Sequence, residues 1–422
     1  MSFNIFALPE EVKNKDYALA TYYIVLPRDA DVTEKAKSLA VGQTVGTWVN
    51  VPGITDALCE KHMGKVVSIL DAPPYELSTQ MADGDRTYFI TIAYPTVNFG
   101  PQFPMLFTTL LGNDASTSAQ VKLVELQLPE KFVAAFKGPK FGIEGLRKLT
   151  GVAEGPLLLN MIKPCTGLSP QQGAKIFYET ALGGIDFIKD DELLGNPDFS
   201  SAAQRVREFN KASDAAYEKT GKHTIYICNV TDSAARIDDT VKAVQDAGAK
   251  MIMMCFSTVG YSLFRKISDQ IDIPVMGHYA ASGVSNEGIN SGLSSQLSIG
   301  KFARMAGSDM VVMNTPYGGY PLLPHRYLMT VREMSLPFYG MKPCMPILGG
   351  GVHPGMTERL IKDCGPDIVL ASGGAVQGHP MGSTAGVIAM KQSIDAAMSG
   401  IPAQKYAEDH EELRAALERF SK

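Results

Sequence analysis

The sequence predicts an α/β protein whose C-terminal part is a (β/α)8 TIM barrel. Two observations predict this. Beyond residue 150, eight short and strongly apolar segments recur, each followed by a helix-compatible stretch. Before about residue 145 the pattern differs, with longer β-branched and aromatic runs interleaved with helical stretches. The chain has 422 residues, too many for one ordinary core, so two domains are expected, 1–145 and 146–422.

In the first part, YALATYYIVLP, GKVVSIL, RTYFITIAYP and VKLVELQL read as strands that stop at Pro, Asp or Gly. TEKAKSLAVG and PMLFTTLL between them read as helices, which suggests an open sheet with helices packed on it. KGPKFGIEGLRKLTGV (137–152) is Gly-rich and basic, a linker followed by a short helix. The eight segments that follow are PLLLNMIKP, GIDFIKDDE, TIYICNV, KMIMMCF, IPVMGHY, DMVVMNT, MPILGGG and DIVLASGG. Strands this apolar are expected where both faces are buried, as in a parallel sheet. SPQQGAKIFYETALGG and DDTVKAVQDAG are two of the intervening helical stretches. Eight units fit one closed barrel; a doubly wound open sheet is the competing architecture.

Composition narrows the function. Hydrophobic residues make up 45% and charged residues 20%, as in an ordinary soluble protein. The net charge of −5 and the lack of a long basic run argue against nucleic acid as a partner. Cysteines 59, 165, 228, 255, 344 and 364 form no CxxC pair, so buried free thiols are expected rather than zinc. No signal peptide and no membrane span are read, and a cytoplasmic enzyme is expected.

Barrel active sites lie at the C-terminal ends of the strands. Polar residues collect at those ends: Lys163, Lys189, Asp191, Glu192, Asn229, His278, Asn314, Gly349 to Gly351, and Ser372 with Gly373 and Gly374. The strongest signal is GGIDFIKDDE (183–192). With a strand repeat of two, Phe187, Lys189 and Asp191 share a face, Asp190 points the other way, and Glu192 can turn back from the loop. An ammonium repels cations, but a lysine carbamate, formed with CO2, is an anionic oxygen ligand. With Asp191 and Glu192 it offers three hard donors, which suits Mg2+. A solvated charge run at a loop is the plain alternative. Lys163 precedes a proline that restrains its direction, and desolvation beside a metal can lower a lysine pKa into the range of acid–base work. His278 ends the fifth segment. The glycines after segments seven and eight suit a phosphate-binding backbone, or simply tight turns.

GGIDFIKDDE resembles the activation motif of the RuBisCO large-chain superfamily. GTWVNVP (46–52), ITIAYPTVNF (90–99), GPKFGIEGLRKLTG (138–151), IKPCTGLSP (162–170) and GHPMG (378–382) are similar to family segments in the same order. The resemblance implies an α+β ferredoxin-like N-terminal domain before the barrel. It implies carbamylation of Lys189, and Mg2+ held with Asp191 and Glu192. It gives Lys163 proton handling on an enediolate and His278 a place near metal and substrate. Gly373 and Gly374 would hold a phosphate with Thr47 and Trp48 of a partner subunit, and Gly349, Gly350 and Gly351 would form another substrate-contacting turn. Asn113 matches a further partner-contributed position, so a homodimer with shared active sites is expected.

Departures from the carboxylase pattern bear on the reaction. NTPYGGYPLLP (314–324) lacks the mobile lysine of the family loop. Cys165 stands for a lysine, Gly42 for a glutamate, Tyr279 for an arginine and Val312 for a histidine. Losing the last two removes donors for a second phosphate, which is costly to bury unpaired, so a monophosphate substrate is expected. Without the loop lysine, CO2 addition lacks electrostatic support, and carboxylation is not expected. What remains is Mg2+-assisted proton abstraction next to a ketone. The resemblance is strongest to the RuBisCO-like (type IV) enolases of methionine salvage, through GQTVGTWVNVPG, ITIAYP, GPKFGI and TPYG. Those enolases take their base from an N-terminal-domain lysine, whereas STSAQVKL (116–123) offers Gln120 and Lys122. An isomerase or decarboxylase on another monophosphate, a Schiff-base aldolase using Lys163 or Lys189, and a non-catalytic regulatory homologue are the other readings.

Overall fold

A computed structural model describes residues 4–13, 15–46 and 51–421. It forms two compact units, one of residues 1–136 with 281–298 and the other of 137–280 with 299–422. Residues 281–298, which follow the fifth barrel segment in sequence, thus belong to the first unit and not to the barrel range 146–422 expected from the sequence.

The first unit is built on a five-stranded sheet of order β10-β4-β1-β3-β2. Its strands are β1 (Tyr17–Leu26), β2 (Lys65–Ala72), β3 (Arg86–Pro95), β4 (Lys122–Gln127) and β10 (Gly292–Leu293). β1 pairs antiparallel with β3 and β4, and β2 with β3. The central β4-β1-β3-β2 order is the ferredoxin-like arrangement. In β1 burial alternates residue by residue, with Ala18, Ala20, Tyr22 and Ile24 inside, as a half-buried strand requires. Helices Val32–Gly42 and Phe103–Leu111 fall on the helical stretches expected. β10 is an addition the sequence did not suggest. It pairs parallel with β4, and the Lys122 ammonium donates to the carbonyls of Asn286 (2.6 Å) and Gly288 (2.7 Å).

The second unit is a closed parallel barrel. Its strands are β5 (Leu157–Met161), β6 (Phe187–Lys189), β7 (Ile225–Asn229), β8 (Met251–Cys255), β9 (Val275–His278), β11 (Met310–Asn314), β12 (Met345–Gly349) and β13 (Val369–Ala371). Each lies within one of the eight apolar segments. The interior is packed by Leu157, Leu159, Phe187, Ile225, Ile227, Met251, Met253, Met276, Met310, Val312, Met345, Ile347, Val369 and Ala371. These residues decide what faces inward at the barrel's upper end. Two positions on from the last of them come Met161, Lys189, Asn229, Cys255, His278, Asn314, Gly349 and, just past the end of β13, Gly373, on the same face by strand alternation. The strand pairing agrees, with Met161 opposite Lys189, Cys255 opposite His278 and Asn314 opposite Gly349.

Loops at that end are closed off locally. The helix Pro170–Ala181 starts at a Ser169–Gln172 capping box with proline at its first turn. Among the described residues, no helix is long and apolar enough to cross a membrane. All six cysteines are free, with Cys59, Cys228, Cys255 and Cys344 buried.

Candidate active site

Lys189 ends β6 inside the barrel, and its side chain is 2% exposed. Its Nζ donates to the Asp190 carbonyl (2.8 Å) and lies 3.6 Å from Glu192 Oε2. Burial holds the ammonium below the usual lysine range, although Glu192, Asp191 and Asp190 pull the other way. A buried amine that gives up its proton more easily is the nucleophile that CO2 needs. Asp190 points out of the barrel and Glu192 turns back over it, as strand alternation predicted.

Asp191 Oδ2 accepts from Lys163 Nζ at 2.7 Å, and Lys163 Nζ also lies 3.0 Å from Cys165 Sγ. Burial disfavours the Lys163 ammonium, but its hydrogen bonds to Asp191 and Cys165 and the Asp191 charge outweigh that and raise its pKa. The lowered pKa expected for Lys163 is therefore not what this state has. Burial likewise opposes ionisation of Asp191, and Lys163, Cys165 and the Leu193 amide overcome it, so Asp191 is held below the usual carboxylate range.

His278 ends β9. Its Nδ1 accepts from the Ala280 amide (3.1 Å), so Nε2 carries the proton and faces Glu192 Oε2 at 3.4 Å. Burial, then the Lys189 charge, push its pKa well below 6.5, so the ring is neutral. The stability consequence has a definite sign. The unfolded chain takes up this proton first as pH falls. The contribution is complete above about pH 6.5 and is lost as pH drops below it. In metal-free protein, His278→Gln is expected to flatten the fall in Tm between pH 7 and pH 5; a Tm–pH curve parallel to wild type would contradict this.

Asn229, from the top of β7, was noted in the sequence but given no role. Its Nδ2 donates to the Asp191 carbonyl (3.3 Å) and the Glu192 carbonyl (3.2 Å), fixing the backbone that carries both acids. Cys255, expected from the sequence only as a buried free thiol, sits inside the barrel among these charges, and burial raises its thiol pKa.

Lys163, Lys189, Asp191, Glu192 and His278 thus come together. Among the described residues, no three His, Cys, Asp or Glu side chains gather into a metal-holding set. Two carboxylates lie beside an amine instead, and a third anionic oxygen at this place would be supplied by Lys189 if it carried CO2. The donor set fits Mg2+ once Lys189 is a carbamate, and does not fit it as an ammonium.

Gly349 to Gly351 and Gly373 to Gly374 lie at the same end of the barrel, on β12 and after β13. Gly350 and Gly351 adopt φ of +87° and +104°, which favours glycine. A Cβ on Gly373 would lie 2.4 Å from Met161 Sδ, whereas one on Gly374 would meet nothing within 4 Å. Asn160 Nδ2 donates to the Ser372 carbonyl (2.7 Å), and Gln377 Nε2 in turn donates to Asn160 Oδ1 (2.7 Å), which holds that turn. Tyr279 packs against the barrel core and donates its hydroxyl to Asn314 Oδ1 (2.6 Å), and Val312 is buried in that core.

Asn113 belongs to the first unit and is exposed. Gln43 sets its surroundings by donating to the Thr109 carbonyl (2.6 Å) and accepting from the Asp114 amide (3.3 Å). A Cβ on Gly42 would lie 2.2 Å from Asp114 Oδ2, so Asp114 occupies the space of any side chain at 42. Thr47 and Trp48 lie outside the described residues.

The ribulose bisphosphate carboxylase large chain, catalytic domain, matches residues 142–420, and the N-terminal domain of the same chain matches 8–132. The chain belongs to the RuBisCO large-chain family. A ribulose bisphosphate carboxylase-like protein of Archaeoglobus fulgidus is 40% identical over 98% of this chain and 95% of its own length. The 2,3-diketo-5-methylthiopentyl-1-phosphate enolase of Geobacillus kaustophilus is 32% identical over 95% of this chain and 97% of its own. Among solved structures, a rubisco-like protein of Alicyclobacillus acidocaldarius superposes with a TM-score of 0.88 at 31% identity, covering 96% of this chain and 100% of that one.

Proposed function

We propose that this chain is a Mg2+-dependent RuBisCO-like enolase that moves a proton next to the ketone of a phosphorylated diketone. The substrate we favour is 2,3-diketo-5-methylthiopentyl 1-phosphate of methionine salvage, and ribulose-bisphosphate carboxylation is not its reaction. One observation carries the reading: a buried lysine inside the barrel mouth, with Glu192 at 3.6 Å and Asp191 beside it.

In this reading Lys189, as its carbamate, and the carboxylates of Asp191 and Glu192 hold Mg2+. The chemistry a bound Mg2+ supplies is polarisation of the substrate ketone. Lys163 takes the proton from the neighbouring carbon. Asp191 now keeps Lys163 protonated; engagement of Asp191 in a metal site withdraws that anion, leaving desolvation to lower the lysine pKa. Neutral His278 donates from Nε2 and orients oxygen atoms over the site without adding charge. The backbone of Gly373 and Gly374 binds the phosphate and Gly349 to Gly351 line the substrate. Thr47, Trp48 and Asn113 of a partner subunit complete the pocket in a cytoplasmic homodimer.

A second reading is an isomerase or decarboxylase on another sugar or keto-acid monophosphate. It is favoured by the engagement of Lys122 with two backbone carbonyls, away from the role of an N-terminal-domain base, while Lys163 stands at the acids. Incubation of the protein with the diketone phosphate, Mg2+ and bicarbonate in deuterated water tests both. Conversion to the enol supports the first reading; exchange at the carbon next to the ketone without conversion supports the second. Neither conversion nor exchange contradicts the first reading, and the same incubation with a ketose or keto-acid monophosphate then tests the second; activity that persists in EDTA contradicts the Mg2+ dependence of both.

A further inference from the structure

Behind the acids, on the outer side of the barrel, lies a buried ion pair that no step above uses. Arg205, on the helix Ala202–Thr220, and Asp190 are each 1% exposed. Asp190 Oδ2 accepts from Arg205 Nη2 (3.1 Å) and Nε (3.3 Å), from the Tyr226 hydroxyl (2.6 Å) and from the Asn229 amide (2.9 Å). The same guanidinium donates to the carbonyls of Gly195 (2.6 Å) and Ser200. One side chain therefore grips both ends of the segment 190–200, and Asp191 and Glu192 lie within its span. The Asn229 residue whose amide meets Asp190 also holds the Asp191 and Glu192 carbonyls with its side chain.

Four donors on one carboxylate oxygen keep Asp190 turned away from the barrel mouth. Five guanidinium donors spread over a rigid planar fork let Arg205 reach a carboxylate and two carbonyls at once, whereas the three donors of a lysine leave one atom and span less. We propose that Arg205 is a positioning residue that, through Asp190, Gly195 and Ser200, sets the geometry of the Asp191–Glu192 acids and so the affinity of the site for a divalent cation. This rests on the reading of Lys189, Asp191 and Glu192 as a CO2-dependent Mg2+ site.

The full-length protein is titrated with Mg2+ at saturating bicarbonate as wild type, Arg205→Lys and Tyr226→Phe, alongside circular dichroism and Tm. Supporting partners of metal ligands typically contribute about 10- to 100-fold to affinity, and Arg205→Lys is expected to weaken Mg2+ binding by about that factor. A merely structural role would lower Tm and leave the affinity of the folded protein alone. Turnover at saturating Mg2+ should recover towards wild type, which separates positioning from chemistry. Tyr226→Phe keeps the ion pair and removes one donor to Asp190. It should weaken Mg2+ binding less, in the same direction, and it decides the matter if Arg205→Lys does not fold. Wild-type Mg2+ affinity in the folded variants overturns the positioning role alone. Absence of bicarbonate-dependent Mg2+ binding in wild type overturns it together with the metal site it rests on.

Discussion

Lys189→Met is expected to abolish turnover while leaving the protein as stable as wild type or more so. Both halves follow from where the lysine sits. Its side chain is 2% exposed, and Glu192, 3.6 Å away, is a loose partner. An ion taken out of water without tight pairing costs several kcal/mol, and burial already lowers this lysine's pKa. Methionine has similar length, no charge, and a flexible shape suited to a barrel interior that already holds Met251, Met253, Met276, Met310 and Met345. Asp191 keeps its own partner, Lys163, so the variant leaves Glu192, which is partly exposed, as the one acid deprived of a cation. Turnover should fall by at least about a thousandfold, because metal polarisation of the ketone and the proton transfer that depends on it are lost together. Thermal unfolding and a steady-state assay check the two parts. A variant with unchanged turnover would remove the metal site from the mechanism; one that simply unfolds would give Lys189 a structural role instead.

Lys163→Met should separate chemistry from metal binding. Lys163 is a half-exposed side chain whose strong contact is with Asp191. Asp191, however, is 4% exposed, so removing the ammonium leaves a buried carboxylate unpaired, and Tm of the metal-free protein should fall, with Mg2+ offsetting the loss. Removing the group that carries the proton should lower kcat by about 10²- to 10⁴-fold. Bicarbonate-dependent Mg2+ binding should persist or tighten, since Asp191 is freed from its ammonium. Loss of proton exchange with retained Mg2+ binding fits the proposed base. Retained exchange would move the base elsewhere, and Lys122→Met would then be the variant to assay.

The barrel was legible because parallel strands buried on both faces leave a simple trace, eight apolar runs, and each run contains one strand of the closed sheet. Alternation within GGIDFIKDDE correctly turned Lys189 inward and Asp190 outward. β10 left no such trace. Gly292–Leu293 is two residues long, too short for any period, and its pairing with β4 depends on residues far away in sequence. Arg205 was hidden for a related reason. The stretch RVREF carries two arginines two residues apart; Arg207 is exposed and Arg205 is buried, and only the position of Asp190 distinguishes them. The metal-free protonation of Lys163 is not legible in the sequence, because proximity to Asp191, a residue 28 positions along the chain, reverses the effect of burial. The meaning of the glycine turns is mixed: Gly350 and Gly351 are demanded by backbone conformation, whereas Gly374 adjoins open space that a side chain would fill.

The most direct test of the central claim is a carbon-13 NMR spectrum of the protein equilibrated with labelled bicarbonate and Mg2+, compared with Lys189→Met. A carbamate resonance present in wild type, lost on removal of Mg2+ and absent from the variant is the predicted result. A wild-type spectrum with no carbamate, or a carbamate that survives the substitution, would contradict the account.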